Sequence, residues 1–246
     1  MGYHESLTEG RNAVLEAFRS GKTVDRLFVL DGCQDGPVKT ILREAKKQDT
    51  MVQYVKKERL DQLSETKNHQ GVIAYCAACE YAEVSDILEN AKKKGEAPFI
   101  VLLDGIEDPH NLGAIIRTAN QAGAHGVIIP KRRAVGLTAT VARTSAGAVN
   151  YTPVAKVTNL VTVMEDLKKE GMWFVCADMD GEEMYSLNLK GPIGLVIGNE
   201  GEGVSRLVKE HWDMVASIPM KGDIDSLNAS VAMGVLAYEI VRQRRF

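Results

Sequence analysis

The sequence predicts a two-domain α/β protein, and three observations carry that prediction. Apolar runs of strand length alternate with amphipathic helical stretches along the whole chain. The alternation breaks at Lys92-Lys93-Lys94-Gly95-Glu96-Ala97-Pro98, where a charge run meets Gly and Pro. Beyond that break the leading strand, Phe99 to Leu103, is apolar on both faces, as buried parallel strands are.

The elements follow in order. From Glu9 to Arg19, Val14, Leu15 and Phe18 recur at helical spacing. Arg26 to Asp31 reads as a strand, and Gly36 to Asp49 as a helix with Val38, Ile41, Leu42 and Ala45 on one face. Met51 to Val55 is a short strand and Lys57 to Leu63 a short helix; His69-Gln70-Gly71 opens a strand that runs through Tyr75. This α-β-α-β-α-β run defines a first domain over residues 1–80. A polar helix from Glu83 to Gly95 occupies 81–97, assigned as a linker, and 98–246 form the second domain.

There, strands are expected at Phe99–Leu103, Gly126–Ile129, Trp173–Ala177, Pro192–Ile197 and Val215–Ile218. Helices are expected at Asn111–Ala122, Val135–Thr144, Val161–Glu170, Gly203–His211 and Ala229–Arg244. The result is a five-stranded parallel sheet with helices on both sides.

Bulk properties narrow the function classes. The N-terminal Met1-Gly2-Tyr3-His4-Glu5-Ser6 has no apolar run of the secretory kind, and no stretch has the roughly 20 apolar residues of a membrane helix. The expectation is a cytoplasmic protein with no membrane partner. Cys76-Ala-Ala-Cys79 has metal-site spacing, but Cys33 and Cys176 are singletons, so no second pair completes a zinc site. The cysteines read as small core residues, and no metal is expected. A net charge of −3 argues against a uniformly basic nucleic-acid surface. Local cationic clusters remain: Arg43/Lys46/Lys47, Lys56/Lys57/Arg59, Lys131-Arg132-Arg133 and Arg242 to Arg245.

Three loops after strands of the second domain carry the candidate chemistry, since open parallel sheets bind ligands beyond the carboxyl ends of their strands. The first runs from Asp104 to Arg117. Asn111 sits near a helix start, where it is either a backbone cap or a site residue. Arg117 lies six residues on, about 120° around a helix, so the two share a site only if that site wraps the helix start or Asn111 lies outside the helix. Arg117 alone reads equally well as a surface charge. The second loop, Gly198-Asn199-Glu200-Gly201-Glu202-Gly203, has the order G-x-x-G-x-G and not the dinucleotide order, and its two carboxylates disfavour a pyrophosphate. It is either a structural turn or a seat for a neutral or cationic ligand. A nucleotide-dependent oxidoreductase fails on this glycine order. In the third loop, Ser226, Asn228 and Ser230 stand at the mouth of an apolar helix, more polar groups than one cap requires.

Asn111 with Arg117, then Ile197 to Gly203, then Ile218-Pro219-Met220 with Ser226-Leu227-Asn228-Ala229-Ser230, resemble the three ordered motifs of the SpoU (TrmH-like) RNA 2′-O-methyltransferases. Glu9-Gly10-Arg11-Asn12-Ala13-Val14 and His69-Gln70-Gly71-Val72 resemble that family's substrate-binding domain. The resemblance covers nearly the whole chain; Ala229 stands where many members carry valine.

It implies an L30e-like α/β substrate-binding domain ahead of a SPOUT α/β domain with a deep trefoil knot, working as a homodimer. It implies S-adenosyl-L-methionine as cofactor, with Gly198, Asn199, Gly203, Ile218 and Leu227 around it and Thr144, Ser145 and Gly147 completing the pocket. It implies RNA as substrate, and the overall pattern points to the RlmB-like subgroup, whose target is a guanosine of large-subunit ribosomal RNA. Transfer RNA is the alternative substrate, and a non-catalytic RNA-binding module the alternative function. Arg117 is implied as the residue nearest the reacting hydroxyl, with Asn111, Glu200, Ser226 and Asn228 arranging it. Whether Arg117 acts as a base braced by an RNA phosphate or only stabilises charge stays open, because a free guanidinium is protonated.

Overall fold

A computed structural model describes residues 6–223 and 226–246. The first five residues of the N-terminal stretch, and Ile224 and Asp225 of the third loop, lie outside the described residues. The chain forms two compact units: one takes the chain up to Glu80 together with Gly136–Ala139, the other Tyr81–Val135 and Thr140–Phe246.

The first unit runs β1 (Ser6–Glu9), α1 (Arg11–Arg19), β2 (Val24–Leu30), α2 (Gly36–Lys47), β3 (Met51–Val55), α3 (Lys57–Leu63) and β4 (Val72–Cys76). Its sheet order is β1-β4-β2-β3, with β2 and β3 parallel and the other pairs antiparallel. The first helix starts later than expected because Glu9 pairs with Ile73 in β1, and Gly10 turns the chain at φ 86°, a conformation that favours glycine. Side chains of β2 alternate between two cores. Leu27 and Val29 meet Val14, Val38 and Ile41, whereas Phe28 meets Leu60 and Ile73.

The second unit begins with α4 (Val84–Lys94), closed by a capping box from Glu83 and Asp86 and by Gly95 in the left-handed conformation. Residues 81–97 therefore hold a packed helix: Ile87 and Ala91 are buried, and Ile87 sits in one core with Ile100, Ile128 and Phe174. There follow β5 (Phe99–Asp104), α5 (Pro109–Gln121), β6 (Gly126–Pro130), α6 (Ala139–Thr144), β7 (Val154–Val157), α7 (Leu160–Lys169), β8 (Trp173–Glu183), β9 (Ile193–Gly198), α8 (Arg206–Lys209), β10 (Met214–Ser217) and α9 (Ala229–Arg245). The sheet has six strands, not five, in the order β10-β8-β9-β5-β6-β7, all parallel.

The added strand, β7, is short, and it forms by pairing with β6 from Val127 to Pro130. β8 continues past Ala177 into polar residues because Glu182 and Glu183 pair with Ala216 and Ser217 after a register shift. Two helices are shorter than expected. α6 begins only at Ala139, and α8 only after Ser205, whose backbone N–H donates to Asp104 Oδ2 at 2.8 Å. All four cysteines are free thiols. Cys76 and Cys176 are buried and Cys33 and Cys79 half-buried. Among the described residues no helix is long and apolar enough to cross a membrane.

Helix α4 touches the sheet at a glycine. A Cβ on Gly126 would stand 2.5 Å from Ile87 Cγ1, and Ile87 is a β-branched, fully buried side chain with nowhere to go. Gly126→Ala should lower stability by about 1–3 kcal/mol, the range for overpacking a filled core. Adding Ile87→Val should recover part of that loss, because the two positions share one space. Denaturant titration of the four proteins checks this; strict additivity would separate α4 from β6.

Candidate active site

The carboxyl ends of β5, β9 and β10 face the three loops singled out from sequence, and the site is built from helix starts. Asp108 caps α5: its Oδ1 accepts the His110 N–H at 2.9 Å, and Pro109 occupies the first helical position. Asn111 is therefore not the cap. It lies inside the first turn, buried, with its amide free for tertiary bonds. Its Nδ2 donates to Glu200 Oε1 at 2.8 Å, and its Oδ1 accepts from Asn228 Nδ2 at 3.0 Å. Asn228 is the cap of α9, its Oδ1 accepting from Ser230 N at 3.0 Å and Ser230 Oγ at 2.6 Å. Asn228 Nδ2 also donates to Glu200 Oε1 at 2.5 Å, and the Ala229 N–H reaches the same oxygen at 3.3 Å. One carboxylate oxygen thus collects three N–H groups and joins the starts of α5 and α9.

The loop that presents Glu200 is self-supporting. Asn199 and Gly203 exchange backbone hydrogen bonds at 3.1 and 2.8 Å. Asn199 Oδ1 accepts from Gly201 N at 2.7 Å and Glu202 N at 3.3 Å, and its Nδ2 donates to Gly105 O at 3.0 Å. A Cβ on Gly198 would lie 2.3 Å from Gly203 C and Val204 N. Glycine at 198 is required by closure of the loop itself, so any larger residue there disturbs the fold as well as any ligand.

Two cavities flank this node along the sheet edge. The first, about 480 Å³, lies over β8 and β10 and includes Ala177, Asp178, Glu183, Ile218, Ser226 and Leu227 in its wall. Burial pushes the Asp178 carboxyl up, but hydrogen bonds from Lys209 and the Asp180 and Met179 backbone, with the Lys209 charge, bring it below its ordinary value. The Lys209 Nζ–Asp178 Oδ2 distance is 2.9 Å. Beneath it Cys176 is an inert thiol, pushed up to about 12 by burial first and the Asp178 charge second. The second cavity, about 570 Å³, lies over β9, β5 and β6 and includes Asp104, Glu107, Arg133, Asn199, Glu202 and Gly203.

The residues expected around a cofactor do not all meet in one place. Ile218, Ser226 and Leu227 share the first cavity, whereas Asn199 and Gly203 wall the second. Thr144, Ser145 and Gly147 wall neither. Thr144 and Ser145 press on α5, where a Cβ on Gly113 would come 2.5 Å from Thr144 Cβ and 3.0 Å from Ser145 N. Arg117 lies on the exposed face of α5 and has no hydrogen-bond or ion-pair partner among the described residues. That follows from Asn111 being inside the helix, since six residues of helix turn Arg117 about 120° away from it. Sequence reading missed Asp108 as the cap, although Asp-Pro at a helix start is a signature of one, and it missed Asp178, whose strand extension has no apolar signal.

The comparisons agree with one another. Residues 98–238 match the model of the SpoU rRNA Methylase family, and residues 7–82 match that of RNA 2′-O ribose methyltransferase substrate binding. The chain is 48% identical over 237 residues to a putative TrmH family tRNA/rRNA methyltransferase, YacO, of Bacillus subtilis, covering 96% of this chain and 94% of that protein. It superposes on the SpoU methyltransferase AviRb from Streptomyces viridochromogenes in complex with AdoMet with TM-score 0.62 at 26% identity, covering 98% and 91% of the two chains. An AdoMet-bound rRNA methyltransferase from Sinorhizobium meliloti gives 0.60 at 25%, covering 96% and 86%. A TrmH/SpoU tRNA modifying enzyme from A. aeolicus gives 0.56 at 28%, covering 65% of this chain and 84% of that one.

If Glu200 and Asn228 act as one node, their effects on stability are coupled. Glu200→Ala and Asn228→Ala should each cost about 1–3 kcal/mol, the penalty for stranding charge-assisted bonds and a helix cap. The double variant should cost less than the sum by at least about 0.5 kcal/mol. Equilibrium unfolding of the set decides it, and additive losses would dissolve the node.

Proposed function

The chain belongs to the SpoU family of RNA methyltransferases, and from that membership we propose that it transfers the methyl group of S-adenosyl-L-methionine to the ribose 2′-hydroxyl of a guanosine in large-subunit ribosomal RNA. The observation that carries the reading is the joining of Asn111, Glu200 and Asn228 into one hydrogen-bonded node on the loops beside the first cavity. Ribosomal RNA is favoured over transfer RNA by coverage. The AdoMet-bound rRNA methyltransferase matches both units, whereas the tRNA modifying enzyme matches 65% of this chain.

The first cavity fits the cofactor in size and chemistry. Ligand pockets span about 300–1,000 Å³, and this one combines apolar Ile218 and Leu227 with the carboxylates of Asp178 and Glu183. An adenine ring suits the former and the positive charges of a sulfonium and an ammonium suit the latter. When bound, S-adenosyl-L-methionine supplies an electrophilic methyl group. The work left to the chain is to position a ribose and to raise the nucleophilicity of its weakly acidic hydroxyl.

In this reading Glu200 keeps Asn111 and Asn228 fixed, so that their amides present one geometry to the ribose. Ser226, exposed at the cavity wall, adds a hydroxyl beside them. Arg117 supplies positive charge for the developing alkoxide. Arg117 is exposed and makes no bond to the node among the described residues, and in this reading the site is completed in a homodimer whose interface is the face shared by α5 and α9. Arg117 on α5 and Val231 and Tyr238 on α9 are exposed, the latter two 48% and 51% accessible. The C-terminal segment through Ile218 and Leu227 forms the knotted seat of the cofactor, the first domain delivers RNA, and the setting is the cytoplasm.

Arg117 provides the direct test. Arg117→Ala should leave S-adenosylmethionine affinity unchanged in calorimetry and lower single-turnover methyl transfer about a thousandfold, as loss of a charge-stabilising donor does. Arg117→Lys should retain partial transfer if a point charge suffices, and none if a planar fork must brace an RNA phosphate. Near-normal transfer by the alanine variant would remove Arg117 from the chemistry.

A further inference from the structure

The second cavity lies apart from the one proposed above for the methyl donor, and it stands on the same two loops as Asn111 and Glu200. We propose that it is the acceptor-side pocket, holding the base of the target guanosine with its carboxylates and an adjacent RNA phosphate with Arg133; this rests on the reading above. The sheet order supplies the first argument. Along the strand ends the donor cavity covers β10 and β8, and the second cavity covers β9, β5 and β6. Glu200 projects from the loop after β9 and Asn111 from the helix after β5, so the node belongs to both neighbourhoods. A nucleotide seated over β9 and β5 would carry its ribose toward the node and the donor.

About 570 Å³ suits a nucleotide-sized ligand. Asp104 is buried and committed to the Ser205 N–H, and Arg206 is paired with Glu210 at 2.9 Å. Glu107, Glu202 and Arg133 are the exposed charges left on the wall. Arg133 has no hydrogen-bond or ion-pair partner among the described residues, and it is held at φ 53°, a left-handed conformation uncommon outside glycine. A lone guanidinium beside carboxylates that it does not pair with is placed to take an anion from outside. Guanidinium binds phosphate through a planar fork.

The carboxylates select the base. Guanine alone presents two adjacent N–H donors, N1 and N2, on its Watson–Crick edge, and these match the two oxygens of one carboxylate. Adenine and cytosine pair one amino donor with a ring acceptor on that edge, and uracil flanks its single N–H with carbonyls. A carboxylate facing the edge therefore attracts guanine and meets a lone pair on the others. Enzymes acting on a single nucleotide commonly read it by hydrogen bonds to this edge.

The experiment uses guanosine 3′,5′-bisphosphate and adenosine 3′,5′-bisphosphate as probes, titrated calorimetrically into the full-length protein saturated with S-adenosylhomocysteine, which blocks the first cavity. The guanosine probe should bind and the adenosine probe should bind at least about tenfold more weakly, a difference of about 1.4 kcal/mol. Arg133→Ala should weaken both probes about tenfold and leave their ratio unchanged. The double variant Glu107→Gln/Glu202→Gln should bring the ratio close to one. Each variant should bind S-adenosylhomocysteine as the wild type does, which verifies the fold. Equal binding of the two probes by the wild type, or affinities untouched by both variants, overturns the acceptor pocket while the donor site stands. Failure of the wild type to bind S-adenosylhomocysteine would instead strike the methyltransferase reading itself.

Discussion

One oxygen of Glu200 holds the second unit's working edge together. Two helices, α5 and α9, begin close to it, and helix starts carry unsatisfied N–H groups and partial positive charge. A carboxylate between them complements the positive charge of both starts, and it takes one backbone N–H, that of Ala229, and two side-chain amides. It accepts from Asn111 in the first turn of α5 and from Asn228 and Ala229 at the start of α9. Among the described residues, the loop from Gly198 to Gly203 bonds the start of α9 through that anion alone. The opposite end of α9 is fixed with equal care. Arg244 donates to the carbonyls of Ala97, Pro98 and Gly191 and lies 5.5 Å from the Phe99 ring centre. The helix is thus pinned across the whole sheet, from carboxyl edge to amino edge.

On the proposed reading, this pinning makes the sheet edge a bisubstrate site. The node is cross-linked by hydrogen bonds, and the spaces on either side differ in character. On the β8–β10 side the wall mixes apolar surface with carboxylates, suited to a cationic donor. On the β9–β5–β6 side it mixes carboxylates with arginine, suited to an anionic, polar acceptor. Transfer between two such ligands requires their reacting atoms to meet in one geometry, and in the proposed reading the shared oxygen of Glu200 holds Asn111 and Asn228 in it. The close contact of Gly113 with Thr144 and Ser145 belongs to the same design, because it seats α5 firmly on α6 behind the node.

Much of the fold was legible from residue patterns, and the exceptions have physical causes. Helices with a marked apolar face, such as α2 and α7, and strands apolar on both faces, such as β5 and β9, declare themselves through periodicity. β1 and β7 do not, since each has four residues and depends on its neighbour for formation. The polar extension of β8 is invisible for the same reason. The 81–97 segment looks like a linker because its surface face is highly charged, while a narrow stripe of Val84, Ile87, Leu88 and Ala91 packs against the core. At the site, motif order named Asn111, Glu200 and Asn228, but bonds spanning 89 and 117 residues are tertiary facts that no local spacing encodes. The Gly198 loop reads from sequence as either a structural turn or a ligand seat, and the closeness of Gly203 and Val204 to Gly198 is again a fact of folding that spacing does not encode.

The decisive fact about the protein is which atom receives the methyl group. The direct measurement is mass spectrometry of nucleosides released from unmodified large-subunit ribosomal RNA after incubation with the protein and isotopically labelled S-adenosyl-L-methionine. The account predicts label in 2′-O-methylguanosine and in no other nucleoside. Label on a nucleobase, or transfer to transfer RNA but not to ribosomal RNA under the same conditions, would contradict it.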